Sequence, residues 1–106
     1  MPEVLFNKND YKMLESLIER ECNAPAASLT IKQLMRITEM SLSKIRSVKD
    51  NFILMNFIAE GSKDGNSKTY YITQQGVEHF KLVFGFDDKK INEMIDNFKK
   101  AYGEEE

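Results

Sequence analysis

The sequence predicts a mainly helical α+β domain in which a two-stranded antiparallel hairpin is inserted among five helices. Three observations predict this fold class. Apolar residues recur at the three- and four-residue spacing of helices in five segments. Two short runs rich in β-branched and aromatic residues flank a glycine-containing loop. The length of 106 residues fits one domain, which we assign to residues 1–106.

Composition bounds the class of protein. With 42% apolar and 30% charged residues, a chain of this size can form a core without covalent staples. Its single cysteine, Cys22, excludes an internal disulfide framework and a four-cysteine zinc site. No apolar run approaches the roughly 20 residues of a membrane-spanning helix, and the N-terminus lacks a signal-peptide pattern. We therefore expect a cytoplasmic protein with no membrane association, no metal and no cofactor.

The first two helices have recognisable start signals. The first is expected to begin near Asn7, with Asp10 as a partial capping partner. The second is expected from Thr30, because Thr30 and Gln33 have the spacing of a capping box. Residues 38–40 then form a turn. The residues expected to face the core are Leu14, Leu17, Ile18 and Cys22 in the first helix and Ile31, Leu34 and Met35 in the second.

A third helix is predicted over about residues 41–55. Ser41 can cap its first turn, and Asn56 can end it because asparagine tolerates the left-handed conformation. The residues at helical spacing that should face the core are Ile45, Val48, Phe52 and Met55.

The rest of the chain predicts a hairpin and two more helices. The hairpin has strands over 57–59 and 68–72 and an Asp-Gly turn signal between them. Thr73 should cap a fourth helix that Gly85 ends, and Asp87 should begin a fifth over about 87–102. The apolar stripe of the fifth helix comprises Ile91, Met94, Ile95, Phe98 and Tyr102.

This order of elements is typical of a winged helix-turn-helix, in which the second helix of the pair lies in the DNA major groove. Residues 41–55 would be the recognition helix and residues about 57–72 a two-stranded wing, followed by two C-terminal helices. Arg46 is best suited to read a base, because its guanidinium can address both acceptors of guanine. Lys32, Gln33, Lys44 and Lys49 would contact phosphates.

Three segments carry the predicted DNA contacts, each rich in hydroxyl, amide or basic groups on the expected outer surface. The predicted contact residues are Ser41, Ser43, Lys44, Arg46, Ser47 and Lys49 in the recognition helix; Thr30, Lys32 and Gln33 at the start of the second helix; and Lys63, Asn66, Ser67 and Lys68 in the wing.

Charge is unevenly distributed along the chain. The net charge is −2, which taken alone argues against a strongly basic nucleic-acid binder. Residues 28–72, however, hold seven basic and four acidic residues, a net +3, and the remainder holds eight and thirteen, a net −5. Because DNA affinity depends on the local patch more than on the total, the basic segment supports a DNA partner. The negative total still predicts limited non-specific affinity with strong salt sensitivity.

Two parts of the sequence resemble known proteins. Residues 29–34, 40–46 and 56–58 resemble winged-helix repressors in general. Residues 67–78, with the sequence SKTYYITQQGVE, are similar to the wing and following helix of the TubR family, the centromere-binding proteins of tubulin-type plasmid and phage partition systems. This resemblance implies a homodimer that binds repeated or palindromic sites on double-stranded DNA. It further implies that the protein links DNA to a tubulin-like GTPase filament and represses its own operon.

Alternatives remain at this point. Similar wings occur in MarR-like and PadR-like transcriptional repressors, and some winged helices bind proteins and no DNA. No nucleophile–base pair emerges, so we do not expect an enzyme. The only histidine, His79, is expected to be a surface or packed residue in preference to a metal ligand or general base, and the single Cys22 is expected to pack as a small hydrophobe. The fifth helix is expected to form a two-fold dimer interface with the first, in preference to folding back on it within one chain.

Overall fold

The computed structural model describes residues 7–85 and 88–101, and it confirms the winged-helix order of elements. Its helices are α1 (Lys12–Glu19), α2 (Ile31–Thr38), α3 (Leu42–Leu54), α4 (Gln74–Phe84) and α5 (Lys89–Ala101). Its strands are β1 (Leu29–Thr30), β2 (Ile58–Glu60) and β3 (Thr69–Ile72). None of the helices in these two segments combines the length and apolarity needed to cross a bilayer.

The wing belongs to a three-stranded antiparallel sheet with the order β1-β3-β2. The hairpin strands pair with Ile58 opposite Ile72, and β1 joins the other edge of β3 with Leu29 opposite Tyr70. The sequence predicted two strands and missed β1. This strand has two residues, too few for a periodic pattern, and it exists because β3 offers it backbone partners.

Local capping chemistry determines where most helices begin and end. Thr30 and Gln33 form the predicted capping box, and the hydroxyls of Ser41 and Thr73 accept from the third amide of α3 and α4. Gly85 ends α4 with φ of 65°. Asp88 caps α5 by accepting from the N–H groups of residues 90 and 91. The predicted first residue of that helix, Asp87, lies outside the described residues.

One predicted helix start and one predicted core residue are wrong. Residues 7–11 form successive hydrogen-bonded turns, and α1 begins at Lys12, five residues later than predicted. Met55 was expected in the core but is 39% exposed. Asn56 adopts φ of 67°, and the chain reverses so that the Phe57 N–H donates to the Phe52 carbonyl. Phe57, and not Met55, therefore continues the buried surface of α3.

The core joins all the helices. It consists of Tyr11, Met13, Leu14, Leu17, Ile18, Cys22, Leu34, Ile45, Val48, Phe52, Phe57, Ile58, Tyr70, Ile72, Val77, Phe80, Ile91, Met94 and Phe98. The α5 stripe packs within the chain, chiefly against α4, and Ile91, Met94 and Phe98 are at most 5% exposed. The stripe is therefore not available as the expected dimer interface, although its last predicted member, Tyr102, lies outside the described residues.

Candidate nucleic-acid interface

Helix α3 is held from one side, which leaves its opposite side in solvent. Ile45, Val48 and Phe52 are at most 2% exposed and fix the helix to the core. Ser43, Arg46 and Ser47 lie at helical spacing on the opposite side and are exposed. Ser41 is also exposed, but its hydroxyl already accepts from the Lys44 amide at 3.2 Å.

Arg46 is the exposed basic residue on this outer side. Among residues 7–85 and 88–101, no carboxylate lies within ion-pairing distance of it. Its guanidinium is therefore not neutralised by an ion pair within these residues and can donate to a ligand. Asp50, one turn further along the helix, is also exposed and brings a carboxylate to the same side.

Lys44 does not lie on the outer side as predicted. It flanks the buried stripe, and its ammonium is 2.7 Å from Oδ1 of Asp10, whose side chain is only 10% exposed. A cation paired with a nearly buried carboxylate is costly to remove, since the carboxylate would be left without compensation. This geometry makes Lys44 a link between the turns preceding α1 and the first turn of α3.

Lys49 is also engaged within the chain. Its side chain is 19% exposed, with Nζ 2.7 Å from Oδ1 of Asp50 and 5.8 Å from the centre of the Tyr70 ring. The side chain is thus mostly buried, while its ammonium is balanced by a carboxylate and a ring face. Lys49 connects the recognition helix to the wing strand.

Two of the three DNA-contact residues predicted at the start of α2 are exposed to solvent. Thr30 is 8% exposed, and its hydroxyl accepts from the Gln33 amide, so its side chain has little surface for a ligand. Gln33 is exposed, although its carbonyl Oε1 accepts from the Thr30 N–H at 2.9 Å, which leaves its amide NH₂ outward. Lys32 is exposed and pairs with no carboxylate in the described segments.

The wing tip is a tight turn that exposes all four predicted residues, Lys63, Asn66, Ser67 and Lys68. Asp64 and Ser67 exchange two backbone hydrogen bonds across Gly65, whose φ is +64°. The two lysines differ, because Lys68 Nζ is 3.5 Å from a Glu60 carboxylate oxygen. Lys63 has no such partner within the described parts of the chain.

The base of the wing is tied to the loop before β1. Gly61 approaches this loop so closely that an added Cβ would lie 2.7 Å from the Pro25 carbonyl oxygen. The Ser62 N–H donates to the same oxygen at 2.9 Å, and Ser28 Oγ is 2.7 Å from Thr69 Oγ1. Wing and helix-turn-helix therefore form one framework.

Sequence reasoning overlooked the four residues that engage the predicted contact lysines, namely Asp10, Asp50, Glu60 and Tyr70. The spacing of Lys44 and Lys49 from the buried residues of α3 could have indicated that these lysines do not face outward. Lys44 is four residues before Val48 and Lys49 four residues after Ile45, so both border the buried stripe. Asp10 and Tyr70 come from distant segments, and no local pattern indicates them.

Comparison with known proteins identifies the family. A protein described as "DNA-binding protein TubR", from Clostridium botulinum C phage, is 39% identical over 77 residues, which are 73% of this chain and 95% of that relative. The chain belongs to the TubR family. The solution structure of a DNA-binding TubR fragment from Clostridium botulinum matches with a TM-score of 0.62 and 38% identity, over 76% of this chain and 99% of the fragment.

More distant structures share the fold. TubR from Bacillus megaterium pBM400 matches with a TM-score of 0.68 at 18% identity, over 77% of this chain and 90% of that one. The adhesin competence repressor from Streptococcus pyogenes matches with a TM-score of 0.50 at 12% identity, over 98% of this chain and 82% of the repressor. No protein-family model matches the chain. For this TubR-family protein, these neighbours support the winged-helix architecture.

Proposed function

We propose that this protein binds specific double-stranded DNA sites with α3 in the major groove. The observation that carries the proposal is Arg46, an exposed guanidinium with no carboxylate partner in the described segments, on the face of α3 opposite the core. A bidentate contact from arginine to guanine is the commonest specific contact in this groove. The family relationship supports the same conclusion, since its named relatives are DNA-binding proteins.

The neighbouring groups would position the helix on the DNA backbone. Ser43 and Ser47 flank Arg46 on the same exposed face, and Lys32 and Lys63 provide unpaired charge from α2 and the wing. Backbone contacts of this kind fix register and carry no sequence information. Of the seven basic residues in 28–72, Lys44, Lys49 and Lys68 are engaged by carboxylates. Asp50 and Glu60 are already included in the net +3 of this segment, so only Asp10, which lies outside it, lowers the available charge below the sequence count.

Because one chain offers few unpaired cations, we propose that two copies act together on repeated or palindromic sites. The finer role we propose is that of a TubR-like partition adaptor, which links a plasmid or phage centromere to a tubulin-like GTPase filament and represses its own operon. The phage origin of one relative supports this role.

The test is footprinting on the DNA upstream of the gene, with Arg46→Ala beside Arg36→Ala. Arg36 is an exposed arginine of α2 outside the predicted contact set, so it controls for loss of charge. We expect Arg46→Ala to weaken specific binding by about 1–3 kcal/mol and to relax base preference at one position. Arg36→Ala should keep that preference.

The footprint also distinguishes a partition role from an ordinary transcriptional role. Protection over a long tract of tandem repeats indicates a centromere, whereas one protected palindrome indicates an ordinary operator and contradicts the adaptor role. If Arg46→Ala binds the site with unchanged affinity and base preference, the assignment of α3 is wrong.

A further inference from the structure

Asp10 is a nearly buried carboxylate directed at the recognition helix. Its residue exposure is 7%, and Oδ1 has less than 1 Å² of accessible surface. The Asn7 N–H donates to Oδ2 at 3.3 Å, and the Lys44 ammonium lies 2.7 Å from Oδ1. Within the described residues, Lys44 supplies the only positive charge in ion-pairing contact with Asp10.

The two partners are unequally exposed. The Lys44 side chain is 42% exposed and could reach solvent, whereas the Asp10 side chain is 10% exposed and cannot. If Lys44 moved to a phosphate, the carboxylate would remain buried and uncompensated, which is strongly unfavourable. The pair therefore favours a bound state in which Lys44 stays on Asp10.

We infer that Asp10 is a positioning residue that holds Lys44 away from DNA phosphates and so limits non-specific affinity. This inference rests on the proposed DNA binding and refines it. Lys44 fixes the first turn of α3 to the turns before α1, and Arg46 two residues later projects its charge outward. Attraction to the DNA phosphates then comes from Lys32 and Lys63 and not from Lys44.

Salt dependence distinguishes a lysine held by Asp10 from one that contacts a phosphate. Each neutralised phosphate contributes about −0.9 to the slope of log affinity against log salt. We expect Asp10→Asn to free Lys44, to steepen this slope by about one on a duplex of unrelated sequence, and to raise non-specific affinity several-fold at low salt. Lys44→Met should keep the slope of the parent, and the double variant Asp10→Asn/Lys44→Met should return to it.

Glu93→Gln is the matched control, because it removes one negative charge from the exposed surface of α5. It should leave the slope unchanged. If instead Asp10→Asn keeps the parent slope and Lys44→Met lowers it by about one, Lys44 already contacts phosphate and the inference is overturned. A parent protein that retains neither its upstream DNA nor an unrelated duplex overturns the proposed function. Binding by the parent without the predicted change in Asp10→Asn overturns the inference alone.

A measurement on the unaltered protein covers the case in which a variant does not fold. Lysines can be acetylated with and without an unrelated duplex, and the extent at each position read by mass spectrometry. We expect DNA to protect Lys63 at the exposed wing tip and to leave the reactivity of Lys44 unchanged. Protection of Lys44 comparable to that of Lys63 would overturn the inference.

Discussion

His79 shows how a single side chain can connect three parts of the chain that are distant in sequence. Its ring stacks on Phe57 with centroids 4.3 Å apart and on Tyr11 at 5.6 Å, and Nε2 is 2.9 Å from the Tyr11 hydroxyl. Burial lowers its pKa, since the charged imidazolium loses hydration among these rings. Of the two alternatives that the sequence left open for His79, a surface or a packed residue, the structure shows the packed one.

The lowered pKa of His79 predicts a pH-dependent stability. The unfolded chain binds a proton at His79 below about pH 6.5, while the folded chain resists it, so the free energy of unfolding should fall as pH drops through this value. We expect the parent to lose more stability between pH 7.5 and 5.5 than His79→Gln does. Urea unfolding at several pH values measures this difference, and parallel curves for the two proteins would contradict it.

Gly76 lies where α4 and the backbone of Phe57 approach too closely for any side chain. In the first turn of α4, an added Cβ would lie 2.2 Å from the Phe57 carbonyl oxygen, a distance no side chain can occupy. The same carbonyl accepts from the Thr73 N–H at 3.0 Å, next to the hydroxyl that caps α4. A glycine here lets the first turn of α4 pack directly against the backbone of Phe57, the residue before β2.

At the scale of elements, the predictable features are those that depend on nearby residues. The caps at Thr30, Ser41 and Thr73 were predicted correctly because each capping hydroxyl and the amide from which it accepts are only three residues apart in sequence. Strand β1 was missed because its partner strand lies some 40 residues away in sequence, opposite Leu29 at Tyr70. The candidate site also has a predictable and an unpredictable part. The exposure of Arg46 follows from helical spacing, whereas the ion-pair partner of Lys44 comes from tertiary packing.

The wing offers a comparison between two lysines of one hairpin. Lys63 is exposed without a carboxylate partner among the described residues, whereas Lys68 is 3.5 Å from Glu60. On the proposed function, Lys63→Gln should flatten the salt slope by about 0.9, because one phosphate contact is lost. Lys68→Gln should change the slope less. Its ion pair with Glu60, although weak at the surface, competes with a phosphate for the Lys68 ammonium. Fluorescence anisotropy with a labelled duplex measures both slopes, and an equal effect would contradict the distinction.

At the scale of the whole molecule, α5 determines how the chain is stabilised. Phe98 is 5% exposed, and the Lys81 ammonium donates to Asn92 Oδ1 at 2.6 Å, so α5 belongs to the fold of one chain. We expect Phe98→Ala to lower the free energy of unfolding by about 3–5 kcal/mol at every protein concentration. Lys99→Ala on the exposed side should be within about 0.5 kcal/mol of the parent.

Sedimentation equilibrium completes this test. It distinguishes a loss of dimerisation, expected if α5 forms the dimer interface, from a loss of monomer stability, expected if α5 packs within one chain. If α5 served mainly as a dimer seam, Phe98→Ala would dissociate dimers and its cost would depend on protein concentration. Burial of the stripe within one chain predicts instead that any dimer forms through another surface. A folded, purely monomeric Phe98→Ala protein beside a dimeric parent would contradict this expectation.

The anchored base of the wing has a consequence for the DNA. Because the Ser62 N–H donates to the Pro25 carbonyl, Gly61 packs closely against the same loop, and Lys49 lies near the Tyr70 ring, the distance from the recognition helix to the base of the wing is set before any ligand binds. On the proposed function, a mismatch between this span and the grooves must be absorbed by bending or untwisting the duplex. Flexible pyrimidine–purine steps between the contacted positions would then be favoured over stiff A-tracts. The protein would thus select sites partly by how easily they deform, at base pairs it never touches.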